Sequence, residues 1–296
     1  MTLATETVFP VLVAADGSST ARAAVMTSLM FPWPARTEVY GVVARRTRAA
    51  LGRSASVLEA FDRAFKRAAD DAQALLARRW PEAKVTVVDA APAPAILSEA
   101  RRIGARVIVV GWRGHGPVSR LLLGSVSRAV VREAICPVLV VNRRPKHLRQ
   151  LVLGIDGSPN ARRAVELIAE IPPPPGNSVT LVTALEAMSL PPHALFPTSV
   201  RSRLMLELEA LKGELAVSAR RELDQAAATL RGSRWQVRTI LRSGAPLAML
   251  LATVKQTHSD VLVIGARGVS GLERLLLGSV AEGALNYCPV PVLVVR

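Results

Sequence analysis

Two cysteines in 296 residues, Cys136 and Cys288, are too few for a disulfide framework. Each is followed by proline and then an apolar run, so a CxxC metal or redox site does not fit either. A reducing compartment, the cytoplasm, is the expected location. Aromatic residues make up only 4% of the chain and do not interleave with its arginines, so the stacking platforms of single-strand binders are missing and nucleic acid is not the expected partner. No apolar run approaches the roughly 18 residues that a bilayer span needs. The start, Met1 to Pro10, carries Glu6 and no basic residue ahead of its apolar stretch, so neither a membrane partner nor a secretory signal is expected. Also lacking are a GxxxxGK[ST] phosphate loop, a kinase catalytic signature, HExxH, GxSxG and a GxGxxG near the first strands.

What is present is apolar residue in quantity, 50% of the chain, enough for packed cores, and a length suited to two domains. The net charge is +15, with 21 basic against 11 acidic residues up to Pro145 and 17 against 12 beyond it. Such a field attracts anions in general, nucleotides among them, without choosing one.

Comparing the chain with itself shows one unit used twice. Val11 to Ser18 reads VLVAADGS and Leu151 to Ser158 reads LVLGIDGS; Arg120 to Val126 and Arg274 to Val280 are both RLLLGSV. The second pair is displaced further than the first, so the extra length lies in the middle of the second copy, around Pro172 to Pro175 and Pro191, Pro192 and Pro197. In each copy short β-branched runs alternate with longer amphipathic stretches, the pattern of a parallel sheet with crossover helices. Strands are expected near 10–15, 38–44, 84–89, 106–111 and 137–142, then near 149–155, 178–184, 235–241, 260–265 and 291–296. Runs such as VIVVG, PVLVV and VLVIG are apolar at successive positions, as in strands covered on both faces. Two helical stripes are expected to pack into the cores: Val57, Phe61, Phe65, Ala69, Ala72 and Leu76, and Leu204, Leu208, Leu211, Leu215 and Leu223. The basic segment Arg143 to Arg149 reads as a linker, dividing the chain into domains 1–145 and 146–296.

Each copy also carries a glycine pair after its fourth strand and a Gly-Ser that opens the next helix: Gly111, Gly114, Gly124, Ser125, and Gly265, Gly268, Gly278, Ser279. Glycine lets the backbone turn sharply at a strand's carboxyl end and approach a ligand. The Gly-Ser presents open amide N–H groups, a hydroxyl and the positive end of a helix dipole, a combination that suits phosphate. The same glycines also suit tight turns, with Ser125 and Ser279 as plain helix caps.

The complete glycine pattern, the RLLLGSV block, the CPVLVV-like final strand and the VxxDGS opening together resemble the universal stress protein family, over essentially the whole chain as two family units. The resemblance implies two tandem open parallel five-stranded sheets of order 3-2-1-4-5 with helices on both faces, a Rossmann-like adenine-nucleotide-binding fold. It implies an internal pseudo-dimer with the final strands side by side. It implies ATP as ligand, with Mg2+ accompanying the triphosphate, at two sites. Gly111, Arg113, Gly114, His115 and Gly116, and Gly265, Arg267, Gly268 and Gly271, would surround phosphates and ribose. Gly124, Ser125 and Val126, and Gly278, Ser279 and Val280, would bind the triphosphate. Asp16 and Asp156 would lie beside the adenosine, with Ala14 and Gly154 giving it room, and the adenine edge would meet backbone near Val42 or Val43 and Val182 or Thr183. Read from the residues alone, Asp-Gly-Ser is a strand-to-helix turn in which Ser18 or Ser158 caps the helix, with Pro159 at its first turn.

The copies differ. Trp112 and His115 stand where the second loop has Ala266 and Val269, Ala14 where it has Gly154, and Ala91 where it has Gly244; an indole at 112 either packs the first loop or narrows it, so the second site is the firmer expectation. No residue set for hydrolysis emerges: His115 is a lone loop histidine, and Arg113, Arg120, Arg267 and Arg274 serve as phosphate holders or as solvated loop residues equally well. The expected function is a stress-response binding protein read by an unknown protein partner, with at most weak ATP hydrolysis. A slow ATPase or phosphotransfer enzyme, a nucleotide-free dimerisation module and a DNA-associated role remain as alternatives, and a homodimer of the whole chain stays open.

Overall fold

A computed structural model describes residues 8–45, 55–114, 123–186, 198–268 and 277–296. In the first half, β1 (Phe9–Ala15), β2 (Thr37–Arg45), β3 (Lys84–Asp89), β4 (Val107–Gly111) and β5 (Val138–Val141) alternate with α1 (Ser19–Met30), α2 (Ala55–Leu76), α3 (Pro92–Arg102) and α4 (Ser125–Glu133). The second half repeats the order: β6 (Gln150–Gly154), α5 (Pro159–Glu170), β7 (Ser178–Leu185), α6 (Thr198–Gly232), β8 (Val237–Ser243), α7 (Pro246–Gln256), β9 (Val261–Gly265), α8 (Ser279–Tyr287) and β10 (Val292–Val295).

The two halves form one ten-stranded sheet of order β3-β2-β1-β4-β5-β10-β9-β6-β7-β8. Within each half all pairings are parallel, and the order 3-2-1-4-5 appears twice. The joint is the antiparallel pair β5–β10, in register Val140↔Val292, Leu139↔Leu293 and Val138↔Val294. All four residues of each joint strand are buried, as a run without polar alternation requires. The outermost strands β3 and β8 are the most exposed and carry Lys84, Asp89, Arg238 and Arg242, charges that discourage pairing with another chain.

Helices cover both faces. An apolar layer under α1, α2, α5 and α6 and another under α3, α4, α7 and α8 each draw residues from both halves, so the core is continuous across the joint. Local chemistry sets the helix starts. Gly17 (φ 81°) and Gly157 (φ 76°) take the left-handed turn after β1 and β6, and Ser18 and Ser158 then cap α1 and α5 by accepting from Ala21 and Ala161 N–H at 3.2 Å each. Pro92, Pro159 and Pro246 occupy first-turn positions, where a missing N–H costs nothing.

Two sequence expectations need correction. β8 begins at Val237 rather than near 235, because the Trp235 indole is buried and donates to the carbonyls of Ile168 (3.0 Å) and Ile171 (3.2 Å). Second, the two helical stripes are not wholly core. In α2, Ala69, Ala72 and Leu76 are buried but Phe61 is 40% exposed; nothing is described for the side chain of Val57. In α6, Leu223, Ala226, Ala227 and Leu230 are buried, whereas Leu211 and Leu215 are exposed. A 35-residue helix is about 50 Å long, and a sheet built of strands of five to eight residues covers only its second half.

Candidate functional site

The carboxyl ends of β1, β2 and β4 open into a cavity of about 580 Å³ in the first half. Every described residue expected at the first site lies on its wall: Ala14 and Asp16 after β1, Val42 on β2, Gly111, Arg113 and Gly114 after β4, and Gly124, Ser125 and Val126 at the start of α4. Of the two alternatives on β2, Val42 faces the cavity, while Val43 belongs to the opposite apolar layer. His115, Gly116, Arg120, Gly271 and Arg274 lie outside the described residues.

The glycines each make room for a different neighbour. A Cβ at Gly111 would stand 2.7 Å from Ala21 N, and one at Gly265 2.9 Å from Asn160 Cβ, so these two let the starts of α1 and α5 approach the strand ends. A Cβ at Gly114 would stand 2.5 Å from Asp16 Oδ2, and one at Gly268 2.8 Å from Asp156 Oδ2. Each aspartate thus lies directly against its loop, while its other oxygen accepts from Ser18 N–H (2.9 Å) or Ser158 N–H (3.0 Å) and closes the Asp-Gly-Ser turn. At Gly124 a Cβ would meet Trp112 O at 3.1 Å, and at Gly278 Ala266 O at 3.3 Å. The N–H groups of Gly124 and Gly278 donate to those same carbonyls, at 3.0 and 2.8 Å.

These contacts pin the loop after β4 against α1 and α4. Arg113 N–H donates to Thr20 Oγ1 (3.2 Å), and the hydroxyls of Thr20 and Ser18 donate back to Arg113 O. In the second half Asn160 Nδ2 donates to Arg267 O at 3.4 Å. Both α4 and α8 start from a glycine cap with no side-chain acceptor for the first-turn amides, at the positive end of each helix dipole. The first turn of α4 contains no acid; that of α8 contains Glu282, which is held by Arg128 at 2.7 Å and Arg132 at 3.8 Å from α4.

The second site differs in shape as well. The space left by Gly154 is approached by the buried Leu250, whose Cδ2 would be 3.3 Å from an added Cβ, and by Ile264. Val182 is buried and Thr183 donates to Ile155 O at 2.8 Å.

Sequence reasoning missed three features. Phe61, Phe65, Pro92 and Ile96 form the apolar end of the first cavity, although the two phenylalanines read as core. Thr20 and Asn160, two residues beyond their helix caps, hold the loops. Trp112 reaches into the other half: its indole donates to Leu285 O at 2.7 Å near the end of α8, with the Arg113 guanidinium 4.3 Å from the ring centroid. The only signal for that reach was the contrast of Trp112 with Ala266.

The family model described as the universal stress protein family matches twice, over residues 8–142 and 147–296. The chain belongs to the universal stress protein family. Among curated relatives, a universal stress protein of Mycobacterium tuberculosis is 30% identical over 249 residues, covering 76% of this chain and 72% of that protein. A second from the same organism is 32% identical over 216 residues, covering 69% and 62%. Of solved structures, a universal stress protein from Archaeoglobus fulgidus aligns over 97% of this chain and 98% of its own with TM-score 0.63 at 16% identity, a likeness of fold. Among the described residues no helix of this universal stress protein is long and apolar enough to cross a membrane, and no cluster of three His, Cys, Asp or Glu is arranged to hold a metal ion.

Proposed function

We propose that the chain is an ATP-binding regulatory protein of the cytoplasm, with one nucleotide site in each of two domains, 1–145 and 146–296. The observation that carries this reading is the first cavity, which is apolar at one end and at the other closes on the uncapped N-terminus of α4 and the glycine loop. Its volume suits a ligand of nucleotide size. The residues present fit the group: the first-turn amides of α4 supply donors for phosphate oxygens, and Arg113 on the same wall supplies charge. Asp16 and Val42 both line the cavity; in this reading Asp16 accepts from a ribose hydroxyl and backbone at Val42 meets the base edge. Mg2+ would be carried by the triphosphate, since the described carboxylates build no cage of their own. No described residue at the cavity forms a base-and-carboxylate pair around a γ-phosphate, and the reading is of a protein whose ATP-bound form is recognised by a partner.

The test is to denature the purified chain, identify and count released nucleotide, and titrate ATP by calorimetry into the wild type and into Gly124→Val and Gly278→Val. Two ATP per chain, each lost with its own glycine, is the expected result. No nucleotide and no heat would leave a structural dimerisation module. Multiple-turnover ADP release abolished by either substitution would make it an ATPase.

A further inference from the structure

The first cavity has an aromatic wall that the second half does not reproduce. Phe61 and Phe65, one turn apart on α2, stack with ring centroids 6.3 Å apart and planes 26° from parallel. Both line the cavity, whose wall also includes Arg113 and Gly114 and the start of α4. Phe61 stays 40% exposed, although phenylalanine is among the residues most often buried. The neighbouring side chains at this end are small, Ala14, Ala44 and Ala64, and leave the ring uncovered. The helix carrying it is fixed in place: Asp62 pairs with Arg45 at the end of β2 (2.8 Å), and Arg45 also pairs with Asp89 at the end of β3.

Aligned on Leu76 and Leu230, both buried at the ends of their helices, α6 places Leu215 where α2 has Phe61 and Ala219 where it has Phe65. The two halves therefore share the phosphate-facing loop and differ at the opposite end.

We infer that Phe61, backed by Phe65, is the stacking face for the heterocyclic base of the first site's ligand, and that it makes the first site selective for phosphate compounds bearing a flat aromatic ring. The wall offers a π-face and no side-chain hydrogen-bonding group, so it selects for a ring without distinguishing one base from another. Purine nucleotides, with the larger ring, gain most. The second site, with Leu215 and Ala219, gains its affinity from the phosphate end. This inference rests on the nucleotide reading above, and its test separates the two.

ATP and inorganic tripolyphosphate are titrated by calorimetry into the full chain, with Gly278→Val as a background in which only the first site remains and the unsubstituted chain as its control. In both, Phe61→Ala is expected to weaken ATP at the first site by roughly ten- to a hundredfold while leaving tripolyphosphate unchanged. Phe61→Leu is expected to lose nearly as much, and Phe61→Tyr to retain wild-type affinity. Because Phe61 is largely outside the core, circular dichroism and Tm of each variant should match the parent. ATP binding with unchanged affinity in Phe61→Ala, or full retention by Phe61→Leu, overturns the stacking role and leaves the nucleotide site standing. Absence of ATP binding in the unsubstituted chain overturns both.

Discussion

A methyl group at Gly114 would collide with Asp16, and one at Gly268 with Asp156, so Gly114→Ala and Gly268→Ala must displace the carboxylates that close the Asp-Gly-Ser turns. Each substitution is expected to weaken ATP at its own site by roughly tenfold, the worth of one good hydrogen bond, with little change at the other; two-site calorimetry checks this. The glycine pattern was legible in the sequence, but its meaning was not. Gly111 lines the first cavity and also makes room for the backbone of α1, Gly265 lies close to α5, and Gly154 lies against Leu250; a missing Cβ records that something approaches and not what. The thiols are a second residue-scale case. Burial pushes Cys136 and Cys288 up to about 11 from an ordinary value of 9.0. The folded state therefore holds these protons where the unfolded state has lost them, and stability should fall as pH rises from about 9 toward 11. Urea titrations across that range should show the fall, and Cys136→Ala/Cys288→Ala should flatten it. At pH 8 a thiol reagent should label neither residue until the chain unfolds.

Helical spacing predicted α2 and α6 correctly as helices and misjudged what their apolar stripes touch. Periodicity reports which residues share a face; it says nothing of how far the supporting sheet extends beneath them. The consequence in α6 is measurable. Leu211→Gln and Leu215→Gln, on the uncovered half, should change stability by no more than about 0.5 kcal/mol, whereas Leu230→Ala, fully buried, should cost about 2–5 kcal/mol. Urea-denaturation midpoints of the three variants decide it. The central strands were legible nearly to the residue because each is an apolar run bounded by glycine, proline or charge; the polar edge strand β8 begins two residues later than expected, where Trp235 turns into the core, and ends two residues later, at Ser243.

At the scale of the whole molecule, the order of strands within each half followed from the family resemblance. The side-chain fastenings across the β5–β10 joint came only from the structure. Trp112 bonds to Leu285 O, Leu123 N–H to Asn286 Oδ1 (3.1 Å), Asn142 Nδ2 to Cys288 O (2.8 Å), and Arg296 Nη2 to Val131 O (3.0 Å). Such contacts join residues far apart in sequence, where no local pattern signals them. Trp112→Phe, which keeps the ring and leaves Leu285 O without its donor, should cost about 1–3 kcal/mol. Leu139→Ala, at the centre of the joint, should cost about 2–5 kcal/mol; thermal denaturation of both variants measures this.

The antiparallel joint is made within one chain, between halves linked through residues 142–149, so its formation is first-order and dilution does not separate the partners. In a dimer of identical single units every substitution appears twice, at both sites and on both sides of the seam. Here it appears once. Trp112 on one side of the seam with Ala266 on the other, and Phe61 over one cavity with Leu215 in the matching place, are combinations that a symmetric dimer has no means of encoding. Fusion lets each half of the sheet change on its own side of the seam without the change being copied to the other.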